Sequence, residues 1–427
     1  MSIFFQSFRK LTALELRLLL CFLLPPLGVF LLLLSGLHTI CKHWKEKKRF
    51  VFSLSSYFFL CLFISTIGAS ISMKEISYLS VSGMILGYWG LYLRILDTEK
   101  NQLFQHFRLI MIFGGVYSCV IGWFSQWYTF PLPVGYLTGT VPLGLGHFDL
   151  NRLVGCTYNP NFTVYILLIS ISFLLAHLLA SLRSKRFVHF VWVFPILFLL
   201  SYGVIQTGSR AGFASMILIY LLFIMRLNRY IFIISILFIL SLSKWLLHLM
   251  PRNELVNLSI QVRKDIWKSS YKIWQDHSIF GVTPIGFGQE YLKYYNESVP
   301  HAHNILIGMF AEYGTLGGLA FLLVICLNLV KCIHLFFSTR SHKCLLDSFL
   351  LGLPIIILTG VFDEPLFSPQ IGCLTVVLLA CWDRYTKRMH YIIIYPFISN
   401  IKDWIYLHVA APNNRTETIH KGYKSSN

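Results

Sequence analysis

Short clusters in this chain combine residue types that can act on an anion and on a hydroxyl group. Thr207-Gly208-Ser209-Arg210-Ala211-Gly212 joins two apolar runs with almost no connecting chain. Its glycines permit close backbone approach, and Arg210 stands beside the free N–H groups of a new helix, an arrangement suited to a phosphate or diphosphate. A guanidinium offers paired planar donors to such a group, although an arginine at a membrane boundary can also simply snorkel to lipid headgroups. Arg263-Lys264-Asp265-Ile266-Trp267 comes next. Arg263, one helical turn from Trp267, is placed to present a second cation, while Lys264 and Asp265 suit a solvated helix face. Gly286-Phe287-Gly288 follows no strand, so it reads as a turn near the substrate and not as a nucleotide fingerprint.

Further along stand His301-Ala302-His303-Asn304 and, on the helix that follows, Glu312. Two histidines at i and i+2 with no third ligand nearby make a poor metal site, so no metal and no other cofactor is expected. Either imidazole can serve as a general base near neutral pH, while helix capping by His303 or Asn304 is the plainer alternative. Asn159-Pro160-Asn161 has the form of a helix start, with Asn159 as cap and Pro160 in the first helical position, and such an end can also line a cavity. Asp363-Glu364-Pro365 reads most simply as a solvated turn, with sugar-hydroxyl binding by Asp363 as the alternative.

The elements that must position these groups are membrane helices. Of the 427 residues 56% are hydrophobic and only 13% charged, about half the charge of a soluble domain. That excludes a disordered chain and a soluble enzyme. Apolar runs at 15–37, 50–73, 76–96, 107–127, 159–182, 187–206, 211–226, 230–249, 314–337, 346–363 and 367–385 are each able to cross the hydrocarbon layer, and 390–411 is an interrupted twelfth. The expected fold is all-α and polytopic, with about 11–12 transmembrane helices. Pro25-Pro26 makes the first run either kinked or a re-entrant pair. That run lacks an Ala-x-Ala-like exit, so it reads as retained. The ten cysteines include no CxxC, and most lie inside apolar runs.

The net charge of +18 has a topological explanation. Every second loop is basic: Lys42 to Arg49, Arg94 to Arg108, Arg183 to Arg186, Arg226 to Arg229, Lys331 to Lys343 and Arg384 to Arg388. By the positive-inside rule these loops are cytoplasmic. The opposite loops are poor in charge. Outside the long segment 250–302 their only basic residues are Lys74, Arg152 and Arg210. That segment has helical spacing at Ile260, Arg263, Ile266 and Trp267, and so predicts one or two amphipathic helices lying over the membrane. One membrane domain, 1–411, with this extracytoplasmic loop within it, and a polar tail, 412–427, is the simplest organisation.

Together, the Thr-Gly-Ser-Arg-Ala-Gly turn, the Arg263…Trp267…Gly286-Phe287-Gly288 loop and the His-Ala-His-Asn stretch ending at Glu312 resemble the O-antigen ligase and polymerase family, most densely over 155–320. Asn159-Pro160-Asn161 and Tyr313-Gly314-Thr315-Leu316-Gly317 fit the same pattern. The resemblance implies a GT-C-like glycosyltransferase of the bacterial inner membrane with its active site on the extracytoplasmic face. Its donor would be a glycan on undecaprenyl diphosphate. Its acceptor would be another lipid-linked glycan or a surface anchor. Arg210 and Arg263 would bind the donor diphosphate, and His303, or else His301, would act at the acceptor hydroxyl. Asn159, Asn161, Gly286, Gly288, Glu312 and Asp363 would line the substrate.

The chemistry is self-consistent. Diphosphate leaves readily, two arginines neutralise the charge growing on it, and one base suffices, so the reaction needs no metal and inverts the anomeric centre. A small-anion transporter and a lipid-linked oligosaccharide flippase are the competing readings. Transport calls for ionisable residues near the bilayer midplane, which are scarce here, and the single long outer loop argues against alternating access.

Overall fold

The computed structural model describes residues 11–47, 53–98, 102–143, 151–242, 251–252, 256–295, 299–338 and 344–387. The sequence reading of 390–411 and of the tail from 412 lies outside the described residues, as does the end of the run at 230–249. The chain forms two compact units, 1–381 and 382–427. Every regular element among the described residues is a helix, with no strand.

In chain order the helices are α1 Ala13–Leu23, α2 Pro25–Lys45, α3 Leu54–Met73, α4 Leu79–Asp97, α5 Gln102–Trp127 and the short α6 Leu132–Thr138. Then come α7 Pro160–Arg183, α8 Phe190–Gln206, α9 Arg210–Leu227, α10 Arg229–Ser241, α11 Val256–Asp276 and α12 Thr283–Tyr294. The series ends with α13 Ile305–Ser338, α14 Cys344–Gly352, α15 Pro354–Gly360 and α16 Pro369–Thr386. From Trp382 on, α16 belongs to the second unit, where the Thr386 hydroxyl donates to the Trp382 carbonyl.

Among the described residues eight helical stretches are long and apolar enough to cross a membrane, and α10 and the α14–α15 pair are shorter apolar helices. The chain is therefore an all-α, multi-pass membrane protein. Backbone breaks divide two of the apolar runs. The run 346–363 splits ahead of Pro354, whose missing N–H cannot continue the ladder. The first run splits at Leu24, ahead of Pro25-Pro26. There the two alternatives resolve in favour of a hairpin. Gly28 packs its Cα on the backbone of Cys21, so α1 and α2 fold against one another. Glu15 near the start of α1 meets His106 of α5, and His43 near the end of α2 meets Asp97 of α4, each at 2.7 Å. The sequence places both pairs at the basic-loop end.

The core column is α7, of whose most apolar stretch 94% is buried by protein. Elsewhere glycine permits close approach: Gly36 of α2 packs on Gly87 and Gly90 of α4 with backbone touching backbone, a contact any side chain would force apart. The basic-loop end is locked by an ion cluster. Asp347 of α14 is fully buried and accepts from Arg183 of α7 at 2.6 Å and from Arg226 of α9 at 2.8 Å and 3.0 Å. Arg226 also donates to the Phe336 carbonyl of α13 at 2.9 Å and lies over that ring. Three basic loops remote in sequence thus meet at one end, as the alternation of charge required.

Removing one partner from a buried cluster leaves the others unpaired. Asp347→Ala should therefore cost about 3–5 kcal/mol, against less than about 1 kcal/mol for Lys42→Ala, whose ion pair with Glu46 is solvated. Thermal unfolding of the purified protein in detergent measures both, and equal shifts would refute the lock.

Candidate functional site

The groups singled out in the sequence gather at the opposite end. Ser209 caps α9 by accepting the Gly212 N–H, so Arg210 stands at the first helical position. Gly208 before it has φ +64, and the side chains of Arg152 and Arg252 lie against it where a Cβ would be. Arg210 donates to the Arg252 carbonyl at 3.2 Å and to the Ser259 hydroxyl of α11. Arg263, one turn further along α11, repels Arg210 electrostatically, as does Arg252. Arg152 donates to the Thr207 carbonyl at 2.6 Å and to Asn161 Oδ1 at 2.7 Å. Four guanidinium groups therefore surround one turn, and they concentrate positive potential where an anion can lie.

Asn159 caps α7, accepting the Asn161 N–H at 2.9 Å, with Pro160 in the first helical position. The long segment forms α11 and α12 as its spacing required, and these carry their own apolar cluster of Ile266, Ile273, Val282, Phe287, Tyr291, Ala302 and Ala311. Gly286 and Gly288 do not form a turn. Both lie within α12, where Gly286 packs on the Tyr78 ring. Their segment supports the His301–Asn304 loop through the Phe287–Ala302 cluster.

That loop is tightly fixed. Asn304 Oδ1 accepts the Leu306 and Ile307 N–H groups at 3.0 Å, capping α13, and its amide donates to the Val361 carbonyl at 2.9 Å. His303 has φ 51, a left-handed conformation costly for a side chain of this kind. Its N–H donates to His301 Nδ1 at 3.3 Å. His301 is buried against Phe367 and Phe162, and its Nε2 lies 3.9 Å from Asp363 Oδ1. His303 keeps 27% of its side chain exposed, with Nδ1 3.3 Å from the same oxygen.

The acidic turn is not solvated. Asp363 and Glu364 are 7% and 1% exposed, which replaces the simpler sequence reading of Asp363-Glu364-Pro365. Asp363 Oδ1 also accepts the Glu364 N–H at 2.9 Å. Burial alone would raise the Asp363 carboxyl, but the hydrogen bond and charge of His303 outweigh it and hold the group well below the usual carboxylate range. Glu364 is pushed well above that range by burial and then by the Glu312 carboxyl. Glu364 Oε2 accepts the Ala302 N–H at 3.3 Å, and Glu312 hydrogen-bonds to Glu364. Arg263 lies over the Phe362 ring, 5.9 Å from its centroid, and interacts with Asp363. Phe362 and Asp363 therefore connect the arginine group to the histidines. Glu364, Arg252 and Arg152 are the members of this arrangement that the sequence reading left out of the site.

Asp363 supplies the third potential ligand that the sequence did not reveal beside His301 and His303, with the donor atoms within 4.8 Å of one another. The same atoms are engaged in hydrogen bonds. His301 Nδ1 accepts a backbone N–H, so its proton sits on Nε2, the atom that faces Asp363. The set is a network of donors and acceptors already matched to each other.

Burial and then the neighbouring His303 lower His301 from its ordinary 6.5 to about 3. Because the folded value lies below the unfolded one, an unfolded chain takes up this proton first as pH falls. Stability from His301 is therefore whole above pH 6.5 and declines as pH drops toward about 3. The unfolding midpoint should fall across that window, and His301→Phe should flatten the fall. An unchanged slope in the variant would show that His301 is not held neutral.

Residues 195–322 match the family model described as O-antigen ligase. No curated protein matches the chain. The matched stretch holds Arg210, Arg252, Arg263, both histidines and Glu312, with the helices that carry them. Over residues 195–322 this multi-pass membrane protein is therefore similar to the O-antigen ligase family.

Proposed function

We propose that this protein is a metal-independent, inverting glycosyltransferase that moves a glycan from undecaprenyl diphosphate onto an acceptor glycan, as a surface-polysaccharide polymerase or an O-antigen ligase. The observation that carries the proposal is the link Arg210–Arg263–Phe362–Asp363–His303, which sets an anion-binding arginine group beside a carboxylate-held imidazole.

The donor diphosphate lies at Arg210 and Arg263, with Arg252 adjoining. Its negative charge grows as the bond from the anomeric carbon to the phosphate oxygen breaks and the electron pair departs with the diphosphate. Fixed guanidinium groups at that place favour the transition state over the ground state. The acceptor hydroxyl oxygen attacks the anomeric carbon from the opposite side, which inverts its configuration. Its proton passes to Nε2 of His303. Asp363 accepts from Nδ1, fixes the tautomer that leaves Nε2 free, and stabilises the imidazolium that forms. His303 is the base in this scheme because it is the exposed member of the pair, whereas His301 is buried and neutral. Asn161 and Asp363 hold neighbouring cations and the base, and Asn159 shapes the helix end beside them. The site lies at the end opposite the basic loops, on the extracytoplasmic face of the inner membrane.

Arg210→Ala and Arg263→Ala should each lower transfer by about 100-fold or more, and His303→Ala by about 100- to 10,000-fold, with normal insertion into the membrane. Chelation by EDTA should leave the wild-type rate unchanged. The assay is glycan transfer by purified protein in nanodiscs with polyprenyl-diphosphate-linked donor. Full transfer by the arginine and His303 variants would sink the assignment, and loss of wild-type activity in EDTA would sink its metal independence.

A further inference from the structure

Glu364 takes no part in the steps above, yet it is the most buried carboxyl at this end of the protein, 1% exposed, with Glu312 2% exposed against it. The Glu364 carboxyl lies one helical turn from Glu312 on α13, and a hydrogen bond between two such groups requires a proton on one of them, since ionised carboxylates only accept. Two adjoining carboxylates out of water cannot both be charged without a large penalty. Three further contacts point the same way. Glu364 Oε2 accepts the N–H of Ala302, the residue between the two histidines. The Glu364 carboxyl lies directly on Gly308, where a side chain would displace it. Glu312 Oε1 is buried with no hydrogen-bond partner among the described residues, which a neutral carboxyl tolerates better than a charged one.

The titratable groups around the pair are Asp363 in the same turn, His301 and His303 on the loop it anchors, and Tyr313 next to Glu312 on α13. None of them offers Glu364 a cation in direct contact. Asp363 is occupied by His303 and by the Glu364 N–H.

We propose that Glu312 and Glu364 share a single proton and together act as a positioning element, holding the His301–His303 loop in the conformation that points His303 at the acceptor. This rests on His303 being the base of the proposed transfer. Neither glutamate touches the reacting atoms. The left-handed conformation of His303 is unfavourable by itself and persists because its neighbours over-determine it. The Ala302 N–H on Glu364 is the contact adjacent to it.

The test compares Glu364→Gln with Glu364→Ala. Glutamine keeps an acceptor for Ala302 and a donor for Glu312, so it should retain nearly wild-type kcat and KM. Alanine leaves the Ala302 N–H unpaired and should lower kcat by about tenfold or more with little change in KM for the donor. A second arm needs no substrate: modification of His303 by diethyl pyrocarbonate, followed by peptide mass spectrometry. Its rate should rise in Glu364→Ala and stay at the wild-type value in Glu364→Gln. Should Glu364→Ala not fold, Gly308→Ala displaces the same carboxyl and should raise the His303 rate likewise. Equal behaviour of the Gln and Ala variants in both arms overturns the proposal. If the wild type transfers nothing from any polyprenyl donor, the enzymatic reading fails on its own. The modification arm still decides whether the pair holds the loop.

Discussion

Burying two consecutive carboxyls, Asp363 and Glu364, is the constraint on which the far end of this molecule depends. A buried carboxyl is tolerated only where hydrogen bonds or a cation replace its lost hydration. The two meet that requirement differently. Asp363 stays charged because His303 and a backbone N–H face it. Glu364 satisfies its oxygens with the Ala302 N–H and with Glu312. Each solution draws in a part of the chain about sixty residues away. The His301–Asn304 loop, the start of α13 and the end of α15 are consequently tied to one place.

A comparable rule acts at the basic-loop end with the signs exchanged. There one carboxylate, Asp347, serves two arginines from helices α7 and α9. Its neighbours are excess cations, and the cluster closes on itself with a backbone carbonyl taking the remaining guanidinium N–H. At the opposite end Arg152, Arg210 and Arg252 gather about Gly208, with Arg210 donating to the Arg252 carbonyl and the Ser259 hydroxyl, and Arg152 to the Thr207 carbonyl and Asn161. Neutral acceptors orient a guanidinium without cancelling its charge. One end is thus closed by a carboxylate, and at the other the guanidinium groups repel one another about a single turn.

The helices were legible because hydrophobic run length and alternating loop charge report directly on a bilayer. The capped start of α7 and the two helices of the long outer segment followed from local rules that tertiary structure did not override. What stayed hidden depends on contacts distant in sequence. Asp363-Glu364 reads as a wet turn because nothing local reveals the histidine loop that covers it. Arg252 lies in a stretch whose charges are mixed, so only the geometry sets it against Gly208. Gly286 and Gly288 suggested a turn by their spacing, but neither has positive φ, and Gly286 is small because Tyr78 occupies its side-chain space. The Pro25-Pro26 pair announced a break without telling a kink from a reversal. The Gly28–Cys21 contact and the shared end of Glu15 and His43 decide it.

Separating the arginines from the imidazole by Phe362 has a chemical consequence. A base placed in contact with guanidinium groups would be kept deprotonated but also made too weak to draw a proton from a sugar hydroxyl. Here the aromatic ring takes the face of Arg263 and the carboxylate of Asp363 stands between that cation and His303. Asp363 therefore adjoins both the imidazole and the cation that the proposed transfer places at the leaving group. In the proposed transfer the carboxylate orients the imidazole, and the diphosphate lies at the cations. The two demands of the proposed glycosyl transfer, a base at the acceptor and cations at the leaving group, are thus placed on either side of one buried acid.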